Sequence, residues 1–314
     1  MRHTAAVLTV LLSAVALDVQ AETRVTYKSA KSTSSYYQMA VQVAETVKSR
    51  TGGDLILTVE ESQGSVQNVK ESHKRTGNYV FTTPPSLIGK ATQGVKPFEG
   101  ETGYETIRSL FVIPSLTMHF VVRGDSGVAS FADLEGKDFI IGKGSFGARK
   151  AASTFEAFGL AGKVNLVDVE LNAAVPALKN GKVQGFATAG SYPAPNVMEA
   201  AAGTAIRLLS MSDEQVTLAK GTQLVIPGGT YPGVDGDVTT ISLPVGAYTT
   251  TTMDEDTAYR LTLSFWQGKT DMEEANPWWT GVDPDMLGTL GAPLHPGAQK
   301  AYEELGIAVP DTLR

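Results

Sequence analysis

Along this chain of 314 residues the hydrophobic period switches repeatedly between 2 and 3.6, and no other feature restricts the fold as much. Residues 24–30 alternate as a strand, with Val25 and Tyr27 on one face. Ser35-Tyr36-Tyr37-Gln38 has the spacing of a capping box, and Tyr36, Met39, Ala40, Val43 and Val47 then form a helical stripe that Gly52-Gly53 stops. Strands over 55–59 and 79–82 flank a second helix running from Gln63-Gly64-Ser65 to about Gly77. Two further strands, 107–113 and 118–123, are separated by Pro114. The pattern then restarts. Strands over 138–141, 165–170, 183–187 and 205–211 alternate with helices, the first opened by a glycine loop at 142–147 and the others at 172–179 and 195–202. After a strand over 239–248 the chain is mainly helical, at 254–267 and 296–305.

Alternating strands and helices predict an α/β protein with largely parallel sheets. Two such series, with helices left over at the end, predict two doubly wound lobes joined by crossover strands near 113–122 and 238–248. On this division lobe I comprises residues 22–115 and 242–314, and lobe II residues 116–241.

Composition closes off several kinds of chemistry. The absence of cysteine excludes disulfides, thiolate metal sites, iron–sulfur ligation and a cysteine nucleophile. A net charge of −7 leaves no general basic face for nucleic acid. At the N-terminus, Arg2 and His3 precede an apolar run over 5–17, and Val19-Gln20-Ala21 offers small residues where a signal peptidase reads. The run is shorter than the roughly 18 residues of a membrane span. Together these predict a signal peptide over 1–21, cleaved after Ala21, and a periplasmic mature protein.

No catalytic residue is expected. Ser145 lacks the glycine two positions earlier that a nucleophile elbow needs, Lys143 standing there instead. The histidines of the mature chain, His73, His119 and His295, form no zinc motif, and Trp266, Trp278 and Trp279 read as packing anchors. Gly142-Lys143-Gly144-Ser145-Phe146-Gly147 satisfies the dinucleotide pattern between a strand and a helix. With only a loosely placed acid, Asp168, to follow it, it reads instead as exposed N–H groups at a positive helix end, suited to a smaller anion, with Arg149 and Lys150 close behind. No cofactor is expected. Polar loops of small residues recur where strands end: Ser34-Ser35-Tyr36-Tyr37, Gln63-Gly64-Ser65, Gly144-Ser145 and Thr188-Ala189-Gly190-Ser191-Tyr192. In open α/β sheets that is where ligands bind.

Five ordered motifs carry a resemblance. They are Gly64-Ser65-Val66-Gln67-Asn68, the stretch His119 to Gly127 (HFVVRGDSG), the stretch Phe131 to Lys137 (FADLEGK), the stretch Ile226 to Gly233 (IPGGTYPG) with Asp237-Val238, and Leu294-His295-Pro296-Gly297-Ala298. Over essentially the whole mature chain the sequence resembles the TAXI-type solute-binding subunits of TRAP transporters, which share the type II periplasmic binding protein fold. The resemblance implies a cleft between the lobes that captures a small anionic solute, carboxylate or amino-acid-like. It also implies delivery to integral-membrane TRAP permease subunits by a monomer. Carried over by position, the resemblance points to Tyr36, Tyr37, Ser65, Asn68, Ser145, Gly190 and Ser191; with the neighbouring Ser35, Thr83, Phe146, Gly147 and Tyr192, and with Arg149 behind the glycine loop as charge partner, these make up the expected ligand-binding set. Departures from the family pattern are the first loop, 28–35, which has two lysines and no glycine, Phe146 for a glycine, Gly147 for a threonine, and Thr83-Pro84-Pro85 after the third strand. A receptor module for a membrane sensor kinase, or a periplasmic enzyme on the same fold, are the alternative readings.

Overall fold

The computed structural model describes residues 22–314, so the expected signal peptide and its cleavage site lie outside the described residues. The strands are β1 (Thr23–Lys28), β2 (Leu55–Glu60), β3 (Tyr79–Thr83), β4 (Ile107–Arg123), β5 (Asp138–Ile140), β6 (Asn165–Leu166), β7 (Gly185–Gly190), β8 (Ile206–Leu208), β9 (Thr222–Ile226) and β10 (Val238–Thr250). The helices are α1 (Ser35–Arg50), α2 (Ser65–Ser72), α3 (Pro85–Thr92), α4 (Phe146–Ala157), α5 (Ala174–Lys179), α6 (Pro195–Gly203), α7 (Asp213–Ala219), α8 (Glu255–Gln267), α9 (Lys269–Ala275) and α10 (Pro296–Glu304).

All ten strands join one curled sheet in the order β2-β1-β3-β10-β4-β7-β5-β6, with β8 added to β4 and β9 to β10. The wings β2-β1-β3 and β7-β5-β6 are parallel, as βαβ connections require. The middle is antiparallel: β4 runs against β10 and β7, and β10 against β3. The expectation of largely parallel pairing therefore holds only for the wings. It fails in the middle because β4 and β10 each carry the chain across from one wing to the other.

Pro114 does not divide two strands, as its missing N–H suggested; β4 is a single strand of 17 residues that passes through it. The ladder instead skips a step there. Ile113 pairs with Val245 and Leu116 with Leu243, so Pro114 and Ser115 bulge opposite Pro244. Two prolines at the same level leave neither strand a donor, which is why the interruption falls here.

Helices cover both faces of each wing. Against the second wing, α4 brings Phe155 onto Phe139 and Phe120. On its other face a separate apolar cluster gathers Val175, Leu178, Phe186, Val197, Leu208, Ile226 and Tyr231. The last segment returns to the first wing: Phe265 of α8 stacks on Phe111 at 3.9 Å between ring centroids, and Leu294 bridges to Ser109. Trp279 is fully buried beside Phe265, the anchoring role expected of it.

Local chemistry also adjusts element ends. Ser34, not Ser35, caps α1, its Oγ accepting from the Tyr36 N–H at 3.2 Å. Ser35 thereby becomes the first helical residue, with its hydroxyl free for another partner. The second helix stops at Ser72 rather than near Gly77, and β6 keeps only two residues of the expected strand at 165–170. Lys28 is buried at the end of β1, held by Glu60 at 2.7 Å and Glu71 at 2.9 Å, and Arg75 closes the group on the same two carboxylates. This lysine, which the sequence places in the first ligand loop, is neutralised inside the wing. Glu60, itself partly exposed, is one of its counter-ions.

Candidate functional site

A cavity of about 110 Å³ lies where the two wings face each other across β4 and β10. Its floor is Leu116 and Val245, on either side of the proline bulge, with the buried ring of Tyr36 against it. The first wing contributes Ser29, the Ser34-Ser35-Tyr36 start of α1, Gln63-Gly64-Ser65 at the start of α2, Thr82 and Pro84. The second contributes Ile141, Ser145 to Ala148 at the start of α4, Ala187 to Gly190 at the end of β7, and Ala194 to Asn196 at the start of α6.

Four helices thus point their N-termini at one space. Each presents the positive end of its macrodipole and amides that no turn of helix can satisfy. At α2 the N-cap is Gly64, which supplies no side-chain acceptor. At α4 the Ser145 Oγ takes only the Ala148 N–H, at 3.0 Å. Among the described residues, the amides of Ser65, Val66, Phe146 and Gly147 have no hydrogen-bond partner. Glycine is required at two of these approaches. Gly64 adopts φ +113, and a Cβ there would stand 3.4 Å from that of Ser145, while a Cβ on Gly147 would stand 2.6 Å from that of Ala189.

Contacts across the gap hold the two walls together. The Ser191 N–H donates to Ser35 Oγ at 3.2 Å. The two carbonyls at the proline bulge are taken up from opposite sides: Tyr36 Oη donates to Pro114 O at 3.0 Å and Ser191 Oγ to Ser115 O at 3.2 Å. Burial keeps the Tyr36 phenol well above its ordinary pKa, so it stays a donor. Farther out, Trp278 Nε1 donates to Pro193 O at 3.0 Å, tying the C-terminal segment to the loop after β7.

Of the residues expected at the site, Ser35, Tyr36, Ser65, Ser145, Phe146, Gly147 and Gly190 line the cavity. The others stand elsewhere. Arg149 lies one helical step past Ala148, so it leaves the cavity wall and is exposed beside Phe155 and Leu166 on an outer groove. Asn68 is buried beneath the lining, its Nδ2 donating to Ser29 O at 2.7 Å and Thr82 O at 2.9 Å, so it positions two lining residues without meeting the cavity. Thr83 points away from the space between its lining neighbours Thr82 and Pro84, as alternation along a strand demands. Tyr37 follows Tyr36 round the helix and is half-buried outside the lining. Ser191 is spent on the contacts just described, and Tyr192 packs on the second wing's apolar cluster.

A family model describing the NMT1-like family matches residues 28–306. The chain belongs to the NMT1-like family. Among solved structures it is similar to MatC from Rhodopseudomonas palustris with bound malate, at 10% identity and a TM-score of 0.58 over 90% of this chain and 97% of that one. It is also similar to the periplasmic binding protein BugD, at 12% identity and a TM-score of 0.55 over 92% of this chain and 99% of that one. At these identities the likeness is one of fold: a curled α/β sheet flanked by helices, as in periplasmic binding proteins.

In this NMT1-like protein the site also depends on contacts between separate segments of the chain, some of them distant in sequence. Thr188 Oγ1 accepts from Asn196 Nδ2 at 2.9 Å, fixing the start of α6 against β7. Behind α6, the Ala194 N–H donates to Tyr231 Oη at 2.8 Å, which in turn lies 2.8 Å from His119 Nε2. The Thr117 carbonyl, 3.1 Å from Nδ1, can only accept, so the His119 ring is neutral with its proton on Nδ1 and takes the Tyr231 proton at Nε2. Burial holds the His119 pKa down to about 4, from 6.5. A histidine depressed on folding contributes stability above its unfolded pKa, and that contribution is lost as pH falls from 6.5 toward 4. His295, also lowered by burial, acts in the same direction. The urea midpoint is therefore expected to fall between pH 6.5 and 5, before carboxylates protonate, and His119→Gln to remove much of that slope. An unchanged slope in the variant assigns it elsewhere.

Proposed function

We propose that this is an exported solute-binding protein of the TAXI-type TRAP class, which captures a small anionic solute between two lobes and passes it to an integral-membrane permease. Its lobes are residues 22–115 with 242–314, and 116–241, hinged at the proline bulge of β4 and β10. The convergence of four helix N-termini on one cavity carries this reading. Backbone amides at helix starts stabilise negative charge without a protonation step, and serine hydroxyls fix its orientation. Family membership and the likeness of fold to periplasmic binding proteins support binding as the task, and the five ordered motifs support the TAXI assignment. Among the described residues the cavity lining contains no histidine and a single carboxylate, the exposed Glu170, which supports binding over turnover.

The two walls already touch at Ser35–Ser191, which corresponds to a closed arrangement in which a bound anion would complete the contact between α2 and α4. Thermal denaturation with carboxylates and their matched carboxamides tests the proposal. A ligand present at 100 times its Kd stabilises the fold by about 2.7 kcal/mol. The carboxylate of at least one pair is expected to raise Tm by several degrees while its amide does not. Equal shifts from acid and amide would refute an anion site.

A further inference from the structure

The cavity separates its charge from its depth, and that separation limits what kind of anion fits. Its deep surface is uncharged: Leu116 and Val245 form the floor, Tyr36 gives a ring face, and Ile141 and Phe146 add apolar wall from the second wing. Charged lining residues among those described are Lys31, Lys143 and Glu170. None is buried, and no arginine lines the cavity. Lys143 is already paired with Asp168 at 2.9 Å, and Lys31 lies close enough to Glu61 to help hold that carboxyl below its usual range, after the stronger effect of the Ser32 hydrogen bonds.

Resting on the reading of the cavity as an anion site, we infer that the solute is a monoanion with a short apolar body. The helix starts supply uncharged donors for one carboxylate. A second carboxylate would be desolvated against the floor, where no cation among the described residues meets it. The ammonium of an amino acid would need an acceptor of negative charge, and the lining's one carboxylate is exposed at the mouth. An aliphatic or aromatic body, by contrast, meets Leu116, Val245 and Phe146 and brings no second charge to be desolvated. A cavity of about 110 Å³, smaller than the roughly 150 Å³ that holds a benzene ring, restricts the enclosed body to a short skeleton.

Three probes of one branched skeleton test this by titration calorimetry of the mature chain: 4-methylpentanoate, leucine, which adds an ammonium, and 3-methylglutarate, which adds a second carboxylate. The expected result is a Kd for 4-methylpentanoate at least tenfold lower than for the other two. Phe146→Ser, at a half-buried position, is expected to weaken 4-methylpentanoate several-fold and leave its folded circular dichroism unchanged. Tighter or equal binding of leucine or 3-methylglutarate overturns the inference and leaves the anion site standing. Binding by none of the three, with the amide of 4-methylpentanoate binding instead, overturns both.

Discussion

Replacing Ser145 by tryptophan is expected to abolish solute binding, weakening it by more than 100-fold, while the protein still folds. Ser145 stands at the start of α4, half-buried, and a Cβ on Gly64 across the gap would come within 3.4 Å of its side chain. An indole there occupies the space between α2 and α4 and covers the amides of Ser65 and Phe146. The fold is little affected because the position faces the cavity rather than either core. Its main cost is the lost cap on the Ala148 N–H, about 0.5–2 kcal/mol. Ser145→Ala separates the two effects: it loses the same cap without adding bulk, so its Tm should fall like that of the tryptophan variant while binding weakens less than tenfold. Titration of both variants, with urea unfolding alongside, reads the difference. Retained binding in Ser145→Trp would remove α4 from the site.

The largest effect on stability is expected at Phe265, outside the cavity lining. The ring is fully buried, lies 11° from parallel to Phe111 of β4, and has Trp266 and Trp279 against its edges. Phe265→Ala leaves a cavity where the returning C-terminal helices meet the first wing, at a cost of about 3–5 kcal/mol. Phe265→Leu keeps most of the volume and should cost about 1.5 kcal/mol or less. Urea denaturation measures both. A loss below about 1 kcal/mol in the alanine variant would mean that the C-terminal segment does not hold the first wing together.

Patterns confined to one element were legible in the sequence; juxtapositions between elements were not. The stripe Tyr36, Met39, Ala40, Val43 and Val47 located α1, and all five are buried. Loops at strand ends located Ser35, Gly64, Ser145 and Gly190, because in an α/β sheet such loops meet at one edge. Arg149 was misplaced by a single residue of helical phase, which no run of charges reveals. The missed floor, Leu116 and Val245, belongs to two strands that are distant in sequence and pair only through a proline bulge. Pro114 read as a break, since a missing donor normally ends a central strand. In the fold Pro244 stands opposite it, and hydroxyls of Tyr36 and Ser191 take up the carbonyls left over. Tyr231, His119 and Ala194 were likewise invisible as a group because their contact spans 112 residues between Tyr231 and His119.

Amide hydrogen exchange on addition of a carboxylate that raises Tm is the most direct test of the central claim. The amides of Ser65, Val66, Phe146 and Gly147, which have no partner among the described residues, belong to helix starts in opposite walls of the cavity. A small anion held between those walls would slow exchange at residues 65–66 and at 146–147 together, in the same concentration range as the thermal shift. Stabilisation by the carboxylate with exchange unchanged at both helix starts would contradict it.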